Sequence, residues 1–150
     1  EFRRVLFRSG ELADDIRLAV GERFLGQAAP DQIWGHLAGA SYMVVPSVWY
    51  EGFPRTIVEA FAMGLPVIAS RLGSLPELIQ DGETGLLFEP GNGADLAARL
   101  QWAQDNPVAM RRMGERARSV FESTYTPEVN YRQLLDIYER AMGVRAQVAA

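Results

Sequence analysis

Met43-Val44-Val45-Pro46-Ser47-Val48-Trp49-Tyr50-Glu51-Gly52-Phe53-Pro54-Arg55-Thr56-Ile57-Val58-Glu59-Ala60-Phe61-Ala62-Met63-Gly64 changes its apolar period part way along, and that change decides the fold. Met43, Val44 and Val45 form a short apolar run closed by Pro46 and Ser47, which is how a parallel-sheet strand buried on both faces reads. From Pro54 the spacing becomes helical, with a proline near the first turn, Ile57, Val58, Phe61 and Ala62 as apolar positions, and Gly64 as terminator before Pro66. Glu51 therefore lies just past the carboxyl end of a strand, and Glu59 rides the early turns of the helix. In open parallel sheets, ligands occupy the crevice outside those strand ends.

On either side of this junction the chain alternates helix and strand. Glu11 to Val20 carries Leu12, Ile16, Ala19 and Val20 at helical spacing, and the strand-like run Arg23 to Gly26 follows. Asp31 to Ala40 is a second helix, with Ile33, Trp34 and Leu37. After the strand at 42–46 and the helix at 55–63 come strand Val67 to Ser70, helix Leu75 to Gln80, and strand Leu86 to Phe88 beyond the Asp81-Gly82 turn. Three helices close the chain: Ala94 to Gln104; one capped by Asn106, with Pro107 in its first turn, running to about Glu122; and one opened by Thr126 and Pro127, with Tyr131, Leu134, Leu135 and Tyr138 on one side. Such alternation predicts an α/β, Rossmann-like parallel sheet with helices on both faces.

The junction has its own chemistry. The first N–H groups of a helix lack internal acceptors and stand at the positive end of its dipole, so the stretch around Arg55, Thr56 and Ile57 is suited to a diphosphate. Ionised carboxylates accept hydrogen bonds and donate none, so Glu51 and Glu59 suit vicinal sugar hydroxyls on either side of that diphosphate. Gly52, without a Cβ, lets backbone approach a ligand closely. Taken as a bare spacing, the same two residues also read as a loop carboxylate and a solvated helix glutamate.

The chain has 150 residues, 48% of them hydrophobic and 23% charged, enough for one core of its own. Its net charge of -4 provides no basic stripe, which argues against nucleic acid as a partner. There is no cysteine, so disulfides and cysteine-ligated zinc are excluded, and a reducing cytoplasm is the expected setting. No transmembrane segment is expected, since no stretch approaches the roughly twenty apolar residues a membrane helix needs. Nothing supplies a set of metal ligands. His36, the single histidine, reads as a surface or packing residue. Gly73-Ser74-Leu75-Pro76-Glu77 opens a helix after a strand and reads equally as a nucleotide contact or as a plain loop with a helix-start glutamate, so no role is assigned to it, and Glu115, Arg116 and Arg118 read as a solvated helix face.

The junction resembles the C-terminal nucleotide-sugar-binding domain of the retaining family 4 glycosyltransferases, which have the GT-B fold. Carrying the likeness are Val45-Pro46-Ser47, Glu51-Gly52-Phe53-Pro54, Glu59-Ala60-Phe61-Ala62-Met63-Gly64-Leu65-Pro66-Val67-Ile68-Ala69-Ser70, Gly73 to Leu78 and Asp81 to Leu87. The resemblance extends over about residues 10 to 142 and implies one half of a GT-B fold, truncated at its N-terminal side. By its motif positions, Glu51 is the catalytic-site carboxylate beside the reacting carbon of the donor sugar, and Glu59 binds the nucleotide ribose. Gly52, Phe53 and Pro54 then line the sugar pocket, with the amides of Thr56 and Ile57 on the diphosphate. Arg55 falls where the family varies, and an exposed arginine and a phosphate contact stay equally open. The substrate implied is a nucleotide-diphosphate sugar, used with no cofactor or metal. The acceptor, a sugar, lipid or small molecule, would be held by an N-terminal domain outside this chain, where any peripheral contact with the inner face of a membrane would also arise.

The resemblance also implies two absences. Family members carry an arginine and a lysine against the donor diphosphate on the first strand–helix unit of this domain, and the acceptor site and other catalytic groups on the N-terminal domain; neither is present, so the chain by itself is expected to transfer no sugar. Residues 1–9 resemble a translated adapter sequence and are expected to be non-native, and the tail at 143–150 is expected to fray. A nucleotide-sugar epimerase of GT-B type and a non-catalytic nucleotide-sugar-binding module stand as alternatives. A nicotinamide enzyme is disfavoured, as no Gly-x-Gly-x-x-Gly follows a strand.

Overall fold

The computed structural model describes residues 6–7, 13–26 and 29–143; most of the expected non-native segment, the start of the first expected helix and all of the tail beyond Gly143 lie outside them. The chain divides into two compact units, Glu1–Ala40 and Ser41–Ala150. In the first, β1 (Leu6–Phe7) pairs parallel with β2 (Phe24–Gly26), accompanied by α1 (Ala13–Val20) and α2 (Pro30–Ala38). His36 lies exposed on α2.

The second unit contains β3 (Met43–Val45), α3 (Arg55–Ala62), β4 (Val67–Ser70), α4 (Leu75–Leu78), β5 (Gly85–Phe88), α5 (Gly93–Asp105), α6 (Pro107–Val120) and α7 (Pro127–Ala141). Its strands form one parallel sheet in the order β3-β4-β5, with Val45 opposite Ala69 and Ser70 opposite Phe88. This is the α/β parallel architecture that the alternating pattern predicts. Every residue of β4 and β5 is buried, and since successive side chains point to opposite faces, both faces of these strands are covered. On one face Ile68, Leu86 and Phe88 pack with Ala103 of α5 and Met110 and Met113 of α6.

β3 departs from expectation. It is an edge strand of this sheet, and Val44 keeps 36% of its surface exposed, so the run is not buried on both faces. An apolar triplet cannot by itself distinguish a central strand from an edge. α3 buries Ile57, Ala60 and Phe61, one stripe at helical spacing. Its C-terminus closes in a Schellman motif, with Leu65 N–H donating to Ala60 O at 2.9 Å and Gly64 N–H to Phe61 O at 3.0 Å. Glu115, Arg116 and Arg118 of α6 are exposed, as expected of a solvated face, and from that face Arg118 donates to the carbonyl of Ala62 at the end of α3 while Arg116 pairs with Glu83.

Two helix boundaries also differ from expectation. Asn106 precedes α6, but its side chain does not cap that helix; its Nδ2 donates to Trp102 O at 2.8 Å, closing α5 instead. α6 ends at Val120, and a single π-helical turn, Phe121–Tyr125, leads to Thr126. The Thr126 hydroxyl oxygen accepts from Val129 N–H and starts α7 as expected.

Candidate functional site

β3 and β4 are parallel neighbours, so the chain leaves both on the same side of the sheet, and each is followed by serines. Ser70, fully buried at the end of β4, donates its hydroxyl to Ser47 O at 2.6 Å, with a longer approach to Val45 O at 3.4 Å. Ser47 in turn donates to Glu51 Oε1 at 2.5 Å, the short length of a hydroxyl bonded to a carboxylate. Ser74, just before α4, donates to the carbonyl of Glu51 at 2.8 Å. Gly73 has a φ of +57°, and a Cβ there would stand 3.2 Å from Tyr50 Cδ1 and 3.5 Å from Glu51 N, so the β4–α4 loop packs directly against the loop that carries Glu51.

Next along the chain is the amino end of α3. Pro54 is buried at the N-cap position and has no side-chain cap bond, whereas Gly52, Phe53, Arg55 and Thr56 are exposed. The two amides expected to meet a diphosphate differ in state. Ile57 N–H donates to Pro54 O at 3.1 Å, while Thr56, in the first turn, has no acceptor within the helix. Glu59 lies on the second turn, its side chain 33% exposed, and Arg55 Nη2 stands 3.7 Å from Glu59 Oε1. Arg55 is 86% exposed, and such surface pairs contribute only about 0.3–0.5 kcal/mol, so a ligand can displace it from Glu59 at little cost.

The structure adds residues that the sequence reading left without a role. Ser47, Ser70, Gly73 and Ser74 fix the Glu51 loop; a serine within two residues of the end of each of two neighbouring strands is a sequence signal for Ser47 and Ser70, whereas Gly73 and Ser74 carry none. Tyr125, on the π turn, sets its ring 6.1 Å from that of Phe53, tilted by 58°. Val48, Trp49, Tyr50 and Phe53, which flank Glu51 in the chain, are exposed. Among the described residues no group of carboxylates and histidines could hold a metal ion, and no helix is long and apolar enough to cross a membrane. An open depression of about 460 Å³ between Gly82, Asp105, Pro107 and Arg112 includes neither glutamate.

The family model "Glycosyl transferases group 1" matches residues 8–120. Among curated proteins, the chain is 38% identical over 115 residues to the MMP alpha-(1->4)-mannosyltransferase of Mycolicibacterium hassiacum, covering 76% of this chain and 27% of that protein. It is 36% identical over 132 residues to the D-inositol 3-phosphate glycosyltransferase of Corynebacterium kroppenstedtii, covering 88% and 29%. Among solved structures, the sucrose-phosphate synthase of Thermosynechococcus elongatus superposes with a TM-score of 0.78 at 29% identity, over 89% of this chain and 34% of that one. Anabaena HepE in complex with UDP-glucose superposes with a TM-score of 0.73 at 26% identity, over 83% and 34%. The chain thus spans about a third or less of the length of these relatives. Matched by the family model over most of its length, and with its parallel α/β unit shared by these enzymes, the chain belongs to the glycosyl transferases group 1 family.

Proposed function

We propose that this chain is the donor-binding part of a retaining glycosyltransferase of family 4, which moves a sugar from a nucleotide diphosphate to an acceptor hydroxyl. One observation carries the reading: Glu51, held by the Ser47 hydroxyl, precedes the amino end of α3 in the chain, and Glu59 stands on the second turn of that helix beside an exposed Arg55. That HepE structures hold UDP and UDP-glucose supports a nucleotide sugar as donor.

In this reading the Thr56 amide and the dipole of α3 receive the diphosphate, and Ile57 joins by sharing the hydrogen of its bond to Pro54. Glu59 takes the ribose hydroxyls once Arg55 swings away. Gly52, Phe53 and Pro54 border the sugar, and a Cβ at Gly52 would meet no protein atom within 4 Å, which leaves that side to a ligand. Glu51 accepts from the sugar near its reacting carbon, where its charge favours the cationic character developing there. As the bond to the leaving diphosphate breaks, negative charge grows on the phosphate beside the helix amides, an interaction stronger in the transition state than before it. No metal or cofactor enters. Donor cations and an acceptor site would come from other parts of a polypeptide of the relatives' length, so the 150-residue chain transfers no sugar alone.

Calorimetric titration of the chain with UDP, GDP and ADP tests this reading. Binding of at least one of them, weakened about tenfold or more in Glu59→Ala by loss of charged hydrogen bonds, is the expected result. A chain that binds none of the three, or a Glu59→Ala variant that binds as the unaltered chain does, refutes it.

A further inference from the structure

We propose that Ser47 is the positioning residue for Glu51: anchored by buried Ser70, it holds one carboxylate oxygen so that the other faces the donor sugar. The inference rests on the donor-site reading and assigns a residue to which that reading gives no part.

The bonding of each atom supports it. A serine hydroxyl has one proton, and Ser47 gives its proton to Glu51 Oε1. The carbonyl of Ser47 is held from below by the Ser70 hydroxyl, itself at zero exposure, so the donor is tied to the sheet and not to a free loop. Ser74 grips the Glu51 carbonyl from the β4–α4 side. The backbone of Glu51 is thereby fixed at one end and its carboxylate at the other. Its second oxygen, Oε2, makes no hydrogen bond with any described residue and is open to a sugar hydroxyl. A free glutamate would have to be ordered on binding, whereas a carboxylate already held in one rotamer adds its hydrogen bond without that entropic cost. In the donor-site reading the diphosphate and the ribose fall to other residues, Thr56, Ile57 and Glu59. Its effect should therefore appear only in the part of the affinity that the sugar contributes.

The test compares the unaltered chain with Ser47→Ala and Ser47→Thr, using UDP against UDP-glucose and GDP against GDP-mannose as probes. Calorimetry gives the gain in affinity that the sugar brings. In Ser47→Ala that gain should fall about tenfold while nucleoside diphosphate affinity stays within about twofold, and Ser47→Thr, which keeps the hydroxyl, should restore it. In the ligand-free chain, the isotope-labelled carboxyl carbon of Glu51 should resonate away from free glutamate and move to that position in Ser47→Ala only. Thermal unfolding of both variants shows that they fold. An unchanged sugar gain in Ser47→Ala, an equal loss for diphosphate and sugar nucleotide, or a chain that binds diphosphates but gains nothing from the sugar overturns the proposal. Absence of any diphosphate binding instead refutes the donor-site reading, and the role of Ser47 toward a sugar falls with it; the carboxyl signal still reports whether Ser47 holds Glu51.

Discussion

Gly114 of α6 lies against the carbonyl of Gly64 so closely that a Cβ added at Gly114 would stand 2.2 Å from that oxygen and 3.2 Å from Pro66 Cδ. This backbone contact fixes the end of α3 away from the candidate site, and Arg118, one turn on from Gly114, donates to Ala62 O beside it. Gly114→Ala must push the two elements apart. Overpacking of this kind costs about 1–3 kcal/mol or more. Urea denaturation should show a lower midpoint, and a midpoint equal to that of the unaltered chain would refute the contact.

Phe61 is the largest fully buried side chain and anchors the middle of α3. Phe61→Ala removes a whole aromatic ring from a closed site, a change worth about 3–5 kcal/mol. The same denaturation experiment measures it. A loss below about 1 kcal/mol would mean that α3 is held chiefly by something other than this side chain.

Gly73→Ala is expected to act twice. A left-handed φ costs an alanine about 1–2 kcal/mol, and its methyl would press on Tyr50 at 3.2 Å, displacing the backbone that carries Glu51. Stability should drop by about that amount, and any affinity for a nucleotide sugar should drop further than affinity for the bare diphosphate. Equal losses for both ligands would separate Gly73 from the Glu51 loop.

Two asparagines that look alike in sequence should behave differently. Asn92 Oδ1 accepts from Asp95 N–H at 3.0 Å and caps α5, so Asn92→Ala should cost about 1 kcal/mol and Asn92→Ser very little. Asn106 makes only the exposed bond to Trp102 O, so Asn106→Ala should cost about 0.5–1.5 kcal/mol through α5, and Asn106→Ser should not rescue it. Rescue by serine at 106 would show that it caps α6 after all.

Arg55→Ala should leave stability within about 0.5 kcal/mol, because its partner Glu59 is reached across 3.7 Å at the surface. A larger loss by thermal or chemical denaturation would assign Arg55 a structural role that its exposure denies.

Much of this was legible in the chain itself. The change of period at Pro54, the glycine-proline stop at 64–66 and the runs Val67 to Ser70 and Leu86 to Phe88 each report local preference, so α3, β4 and β5 appear where the pattern puts them. Glu51 and Glu59 were likewise visible as a carboxylate after a strand and one on a helix. Less legible were the features that depend on neighbours distant in sequence. Arg118 sits in a stretch that reads as solvated, yet it reaches Ala62, 56 residues earlier.

The sequence alone determined that this is an alternating α/β chain with two carboxylates around the start of one helix, because side-chain periodicity and the fixed shapes of proline and glycine act over a few residues. Only the tertiary structure decided that β3 lies at an edge of its sheet, that Ser70 reaches back to Ser47, and that Ser74 reaches Glu51. Hydrogen bonds between residues 23 apart depend on the sheet register that sets strand ends side by side, and no local pattern encodes that register.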